Sequence, residues 1–277
     1  MNYKKILTVQ DISCVGQCSL TVALPILSAC GMETCVLPSA VLSTHTAGFS
    51  GFTFRDLTDD MPNILSHWQK ENILFDAIYT GYLGSEKQID YVLDIFKKTS
   101  KEGTVTVVDP AMADNGSLYS IFNMDYVEAM KRLCKACDYI LPNITEACFL
   151  TGMEYRTEYE KDYIDELLLK LTALGCNNVI LTGVSYSPGK TGVVVYENGE
   201  YRYYEHPLLP NSCHGTGDIY ASAFVGAFLR GNTAFDAARI AAEYTMECIR
   251  VTESLENHWY GAAFEPALPK LLKLLQS

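Results

Sequence analysis

Short β-branched, apolar runs alternate with helical periodic segments along most of this chain, and that alternation restricts the possible folds more than any other feature. The runs lie at 5–10, 34–38, 75–80, 105–109, 139–142 and 178–182. Between them stand periodic segments at 18–30, 62–71, 86–100, 124–137 and 159–174. Strands joined by helix-length crossovers pair in parallel, because a tight turn can only reach an antiparallel neighbour. The expectation is an α/β fold: a three-layer αβα arrangement around a mostly parallel sheet. Around 191–206 the rhythm changes to two strands joined at Glu197-Asn198-Gly199-Glu200. Asn-Gly favours a two-residue hairpin turn, so a small antiparallel edge is expected there. Three helices come after it, at 217–230, 233–251 and 262–275, and with no evident linker or repeat the reading is one domain over 1–277.

Composition then narrows the partners. The 277 residues are 48% hydrophobic, ample for a sizeable core, and carry a formal charge of −12. Such an acidic chain offers no basic stripe for a nucleic acid or an anionic membrane, so small molecules are the expected ligands. No run approaches a membrane span, and Met1-Asn2-Tyr3-Lys4-Lys5 leads into the strand-like Ile6-Leu7-Thr8-Val9, too short and polar-flanked for a signal peptide. A cytoplasmic location is expected. The ten cysteines lie scattered through apolar segments and read as reduced core residues. Cys134-Lys135-Ala136-Cys137 has metal or redox spacing but no second pair or histidine nearby, which favours a structural reading.

In parallel sheets, ligands bind beyond the carboxyl ends of the strands, so the residues just after each strand are the candidates for a site. Asp11 comes after the first, Gly81-Tyr82-Leu83-Gly84-Ser85 after the third, Asp109-Pro110 with Asp114 after the fourth, Asn143-Ile144-Thr145-Glu146 after the fifth and Thr182-Gly183 after the sixth. Late in the chain Ser212-Cys213-His214-Gly215-Thr216-Gly217-Asp218 runs into an apolar helical stretch. A glycine pair lets backbone N–H groups turn toward an anion, and a helix beginning there adds its positive dipole end. Asp218, at the same helix start, is a candidate base for an alcohol proton. Taken alone, the four residues are also compatible with an ordinary acidic helix cap. Gly183 to Thr191 looks superficially like a P-loop. It has one residue too many between the glycines, and Gly189-Lys190-Thr191 leads into a strand where a P-loop needs a helix. No dinucleotide fingerprint stands after the first strand.

Asp11, the Asn143-x-x-Glu146 pair and Gly215-Thr216-Gly217-Asp218, in that order, resemble the ribokinase-like superfamily. His45-Thr46, Thr80-Gly81-Tyr82-Leu83-Gly84-Ser85 and Val108-Asp109-Pro110 resemble, more narrowly, its pyridoxal and pyridoxamine kinases. The resemblance implies ATP-dependent phosphorylation of a hydroxymethyl group on a pyridoxal-type vitamer, in a homodimer. It implies Asp218 as catalytic base, with Gly215, Thr216 and Gly217 as the anion hole. It further implies that Asn143 and Glu146 position Mg²⁺ through water, and that Asp109, Asp114 and Thr182 lie on the nucleotide side. Thr46 and Tyr82, with Asp11, fall on the substrate side. A monovalent cation such as K⁺ is a further implied possibility.

Two departures qualify the resemblance. Asp11 stands where many pyridoxal kinases carry serine, and resembles sugar kinases and some pyridoxamine-type bacterial relatives. Cys213-His214 before the glycines is similar to hydroxymethylpyrimidine kinases. The alternatives are therefore a hydroxymethylpyrimidine kinase, a sugar kinase, or a vitamer carrier or sensor without turnover. The loop at 111–119 is expected to order over the nucleotide.

Overall fold

The computed structural model describes residues 3–197, 199–210 and 213–276. Asn198 of the expected hairpin turn, Ser212 at the head of the glycine motif, and Met1, Asn2, Asn211 and Ser277 lie outside the described residues. The chain begins β1 (Lys5–Ser13), α1 (Leu20–Ala29), β2 (Glu33–Leu42), β3 (Phe54–Asp56), α2 (Met61–Lys70), β4 (Phe75–Thr80), α3 (Glu86–Thr99) and β5 (Ser100–Val108). A small pair comes next, β6 (Ala113–Asp114) and β7 (Ser117–Leu118), then α4 (Met124–Ala136), β8 (Tyr139–Ile140), α5 (Ile144–Thr151) and α6 (Lys161–Ala173). The remainder is β9 (Val179–Val184), β10 (Lys190–Glu197), β11 (Glu200–Pro207), α7 (Thr216–Leu229), α8 (Ala234–Glu253) and α9 (Leu268–Leu274).

Nine strands form one sheet in the order β11-β10-β9-β8-β5-β4-β1-β2-β3. From β9 to β2 all neighbours are parallel, as the alternation requires. The hairpin β10–β11 makes the expected antiparallel edge, and Lys190 opens β10, so the Gly189-Lys190-Thr191 segment indeed enters a strand. A second antiparallel strand, β3, closes the opposite edge beside an extended β2. Nothing in the sequence signals it, because its three residues are all exposed and carry no buried alternation.

Strand periodicity of two distributes the core between two apolar layers. Leu7, Ile78, Val108 and Leu181 face the layer covered by α2 to α6. Their neighbours Ile6, Ala77, Val107 and Ile180 face the layer under α1, α7 and α8. Helix α7 is apolar nearly all round, with Ile219, Ala221, Ala223, Phe224 and Val225 buried, as befits a helix enclosed on every side. Its start is thereby fixed beneath the cleft. The last helix begins later than the expected residue 262, because Glu265-Pro266-Ala267 first forms a 3₁₀ turn. From β1 the chain runs outward to β2, then returns past β1 to β4. That reversal opens a crevice at the carboxyl ends of β1 and β4, where such sheets receive ligands.

Candidate active site

Asp11 occupies that crevice at an irregularity near the end of β1, where the β1–β2 register shifts between Gln10 and Ile12. Its buried carboxylate accepts from the Ser13 hydroxyl at 2.9 Å. Burial raises its pKa, opposed by hydrogen bonds from Ser19 and Ser13 and by the nearby His45. Ser19 caps α1 with φ 54° and ψ −131°, a costly conformation for a residue with a side chain. From there its side chain reaches Asp11 and its backbone N–H reaches Asp218. Sequence reasoning misses Ser19, since nothing in the letter Ser signals a positive φ.

Asp218 lies in the first turn of α7, whose N-cap Gly215 is left-handed at φ 79° and ψ 0°. A side chain at Gly215 would strike the Gln17 carbonyl, so glycine is required by both space and conformation. At Gly217, by contrast, an added Cβ meets nothing within 4 Å, and the backbone there faces open space. The Thr216 hydroxyl donates to the Cys213 carbonyl at 3.2 Å. Burial raises the Asp218 carboxyl to about 7, with the Asp11 charge adding to the rise and the Ser19 N–H opposing it. A carboxyl that titrates near neutrality can accept a proton and release it again.

The acidic residues after β5 and β8 meet on the other side. Glu146 closes a capping box at the start of α5: the Asn143 side chain accepts from the Glu146 N–H, and Glu146 accepts from the Asn143 N–H, each at 2.9 Å. Its second oxygen accepts from the Met112 N–H at 2.9 Å, and Asn143 donates to the Ala113 carbonyl at 2.9 Å. Burial raises Glu146 to about 7, against the hydrogen bonds from Asn143, Met112 and Ala113. Asp109 is raised strongly, by burial first and then by the charges of Glu146 and Asp218. Thr182 joins Asn143 through an isolated parallel bridge. Asp114 lies exposed in the β6–β7 hairpin, where it accepts from the Asn115 N–H and side-chain amide, both at 2.9 Å. The 111–119 segment is thus already a hairpin, pinned by Gly116 N–H to Thr145 at 3.1 Å and by Tyr119 N–H to the Met112 carbonyl at 2.9 Å. Tyr119 also escapes a reading of the sequence. Burial pushes its pKa upward, as do Glu146, Asp109, Asp114 and Asp218, so it stands among all four carboxyl groups.

Among the described residues no three His, Cys, Asp or Glu side chains are placed to hold a metal ion directly. Both Glu146 oxygens are already engaged with backbone N–H groups. The charges that act most on Asp109 and Glu146 are those of neighbouring carboxylates. An acidic cluster with spare lone pairs suits a hydrated Mg²⁺ bound through its water ligands, rather than a bare ion.

On the substrate side, Tyr82 is half-buried beside Phe122, and its pKa rises through burial and the neighbouring Asp11. His45 is buried, its Nε2 2.6 Å from the Tyr260 carbonyl while its Nδ1 accepts from the Ala47 N–H at 3.1 Å. Those partners hold the ring in place, with Nδ1 as an acceptor. Thr46, next along, is exposed at the rim. His214 lies 5.6 Å from His45 between ring centroids, and burial and that neighbour lower its pKa, which favours a neutral ring over a phosphate-binding cation. Phe49, Trp259 and Tyr260 extend this wall, the last two on a segment tied to the glycine loop by Ala262 N–H to the His214 carbonyl at 3.0 Å. Cys134 and Cys137 lie at the carboxyl end of α4. Burial pushes both thiols up, and the Cys137 thiol donates to the Cys134 and Tyr139 carbonyls at 3.2 Å each.

A parallel sheet with antiparallel edges, carrying a Gly-Thr-Gly-Asp helix start across its switch-point crevice, is the ribokinase-like fold. The family model for phosphomethylpyrimidine kinase matches residues 28–262, and the chain belongs to that kinase family. The pyridoxal kinase of Dictyostelium discoideum is 28% identical over 247 residues, covering 83% of this chain and 80% of that one. Two solved structures superpose closely. A candidate phosphomethylpyrimidine kinase from Bacteroides thetaiotaomicron, in a crystal form with pyridoxal, has a TM-score of 0.90 at 39% identity and covers 100% of this chain and 96% of that chain. Pyridoxal kinase from Lactobacillus plantarum has a TM-score of 0.90 at 30% identity, with 98% and 97% covered.

Proposed function

We propose that this protein transfers the γ-phosphoryl group of ATP to the hydroxymethyl group of pyridoxal or a close vitamer. The observation that carries this reading is the half-buried carboxyl of Asp218, raised to about 7 behind Gly215-Thr216-Gly217. It stands between the Asp11 side of the crevice and Asp109, the two places where alcohol and nucleotide would enter. Asp218 takes the hydroxymethyl proton as the alcohol oxygen bonds to the γ-phosphorus. The bond from that phosphorus to the β,γ-bridging oxygen breaks, and ADP leaves. Backbone N–H groups of Gly215 to Gly217 compensate charge on the transferred group, and placement does most of the remaining work. Mg²⁺, positioned through water by Asn143 and Glu146 with Asp109 nearby, would neutralise phosphate charge. Asp114 and Thr182 complete the nucleotide side, while Tyr82 and Thr46 line the ring side. The pyridoxal bound by the Bacteroides relative supports this substrate class.

Phosphorylation of hydroxymethylpyrimidine is the second reading, favoured by Cys213-His214 and by the description of the matching family. ATP consumption with Mg²⁺, measured against pyridoxal, pyridoxamine, pyridoxine, hydroxymethylpyrimidine and ribose, separates them. Turnover on a B6 vitamer, lost in Asp218→Ala, is the expected result. Saturable turnover on the pyrimidine alone would replace the substrate and keep the mechanism. Tight vitamer binding without ATP turnover would instead indicate a carrier.

A further inference from the structure

Beneath the start of α7 the otherwise apolar layer holds polar side chains that the mechanism does not use. Tyr79 of β4, Gln10 of β1 and Ser222 of α7 are each 0% exposed. The register pairs Thr8 with Tyr79, so strand alternation puts Thr8, Gln10 and Tyr79 on one face of the sheet, the face covered by α7. Gln10 donates to Thr8 Oγ1 at 2.9 Å, which leaves its Oε1 against Gly81, where an added Cβ would lie only 2.8 Å away. Ser222 and Gln10 both approach the Tyr79 hydroxyl. Tyr79 Oη, Gln10 Oε1 and Ser222 Oγ lie close enough to influence one another, yet none reaches full hydrogen-bond geometry with a protein partner. A fully buried polar atom without a partner is costly, and three that converge on one point define a seat for a polar guest.

The place of this seat gives it a role. Ser222 is one helical turn beyond Asp218 on the same face of α7. The Tyr79 hydroxyl lies close enough to Asp218 and Asp109 to be affected by both charges. Donor and acceptor capacity here matches one water, which needs two to four polar partners. We propose that Tyr79 is a positioning residue for the base: with Gln10 and Ser222 it seats one buried water that ties the first turn of α7 to the ends of β1 and β4. The hydroxyl stays protonated in that surrounding, so it is a permanent donor beneath the carboxylate. The charged and titratable groups around Asp218 are Asp11 from β1, Cys18 before α1, Asp109 after β5 and Tyr119 from the hairpin segment, together with Tyr79 itself. Tyr79 differs from the others in coming from the core side, out of reach of solvent.

Only the kinetic arm of the test depends on the phosphoryl-transfer reading. Tyr79→Phe removes one oxygen and keeps the ring. Turnover should fall about fivefold, the worth of one buried hydrogen bond, with little change in KM for the alcohol. The acid limb of the pH profile should move up by about half a pH unit or more, because the carboxylate loses a stabilising dipole. Ser222→Ala should shift the limb the same way, and the double variant should be no worse than Tyr79→Phe, since both remove the same seat. Carbon-13 NMR of the Asp218 carboxyl, assigned with Asp218→Asn, should show the same upward shift without any turnover. If Tyr79→Phe does not fold, Ser222→Ala carries both readouts. A lower melting temperature with unmoved pH limb and unmoved carboxyl titration would overturn the proposal and leave Tyr79 a packing residue. A wild-type protein inactive on every alcohol would sink the phosphoryl-transfer reading, while the NMR titration would still decide the role of Tyr79.

Discussion

Two helix starts in this protein present an acidic residue to the same crevice, and they hold it in different ways. At the start of α5, Glu146 is held at both oxygens by backbone N–H groups of Asn143 and Met112. At the start of α7, which has no side-chain cap, Asp218 receives the Ser19 N–H. Burial brings both carboxyls to about 7, and the one proposed as base is the one not held by two backbone donors. The difference teaches that raised acidity alone does not mark a base. A carboxylate committed to two backbone donors is a fixed negative wall, suited to a hydrated cation. One with open lone pairs above a glycine turn can take a proton from an alcohol.

Substitution at the two sites should separate these roles. Asp218→Asn should lower turnover about a hundredfold or more while leaving substrate KM within a few-fold, as for loss of a positioned base. Steady-state kinetics decides it, and near wild-type turnover would remove Asp218 from that role. Glu146→Gln should act differently. Its amide puts an N–H against a backbone N–H, so stability should fall by about 1–3 kcal/mol and the Mg²⁺ requirement should rise. Denaturant unfolding with a metal titration checks both, and an unchanged metal titration would contradict the water-mediated assignment.

Stability against pH gives a further readout for Asp218. The folded-state pKa of Asp218 lies above its unfolded value, so its contribution to stability is fully present below the ordinary aspartate value of 3.8 and is lost as pH rises to about 7. Asp218→Asn should therefore stabilise the fold, by an amount that grows between those two pH values and levels off above. Melting curves across that range test the sign. Cys137→Ser should have the smallest effect. Serine can keep the two carbonyl contacts, so activity should be unchanged and stability should move by no more than about 1 kcal/mol. A large loss of turnover there would mean that the Cys-x-x-Cys segment does more than pack.

Legibility from sequence divides along physical lines. The six parallel strands and the β10–β11 hairpin are readable because buried strands need continuous apolar runs and Asn-Gly needs a turn. Helix α5 leaves no periodic mark, since it is eight residues long and buried almost all round, which erases its periodicity. The β6–β7 pair has two residues per strand, too few for alternation to register. Among the site residues, the motif positions that directly end strands lie along one edge of the sheet, because strand ends in a parallel sheet share that edge. Ser19, Tyr119 and Tyr79 are invisible for three separate reasons. Ser19 matters through its backbone angle, Tyr119 through a hairpin set by distant contacts, and Tyr79 through a polar tip inside an apolar strand.

Asp218 as the base for a vitamer alcohol is the central claim. The most direct test is the initial rate of ADP formation from ATP, Mg²⁺ and pyridoxal across pH 5 to 9, roughly two units either side of the raised carboxyl, for the wild-type protein and Asp218→Asn. The product would be followed by phosphorus NMR. The predicted result is a phosphate ester formed by the wild type at a rate that rises through about pH 7 and levels off, with the variant slow and without that limb. A pH-independent wild-type rate, or a variant that retains both rate and limb, would contradict it.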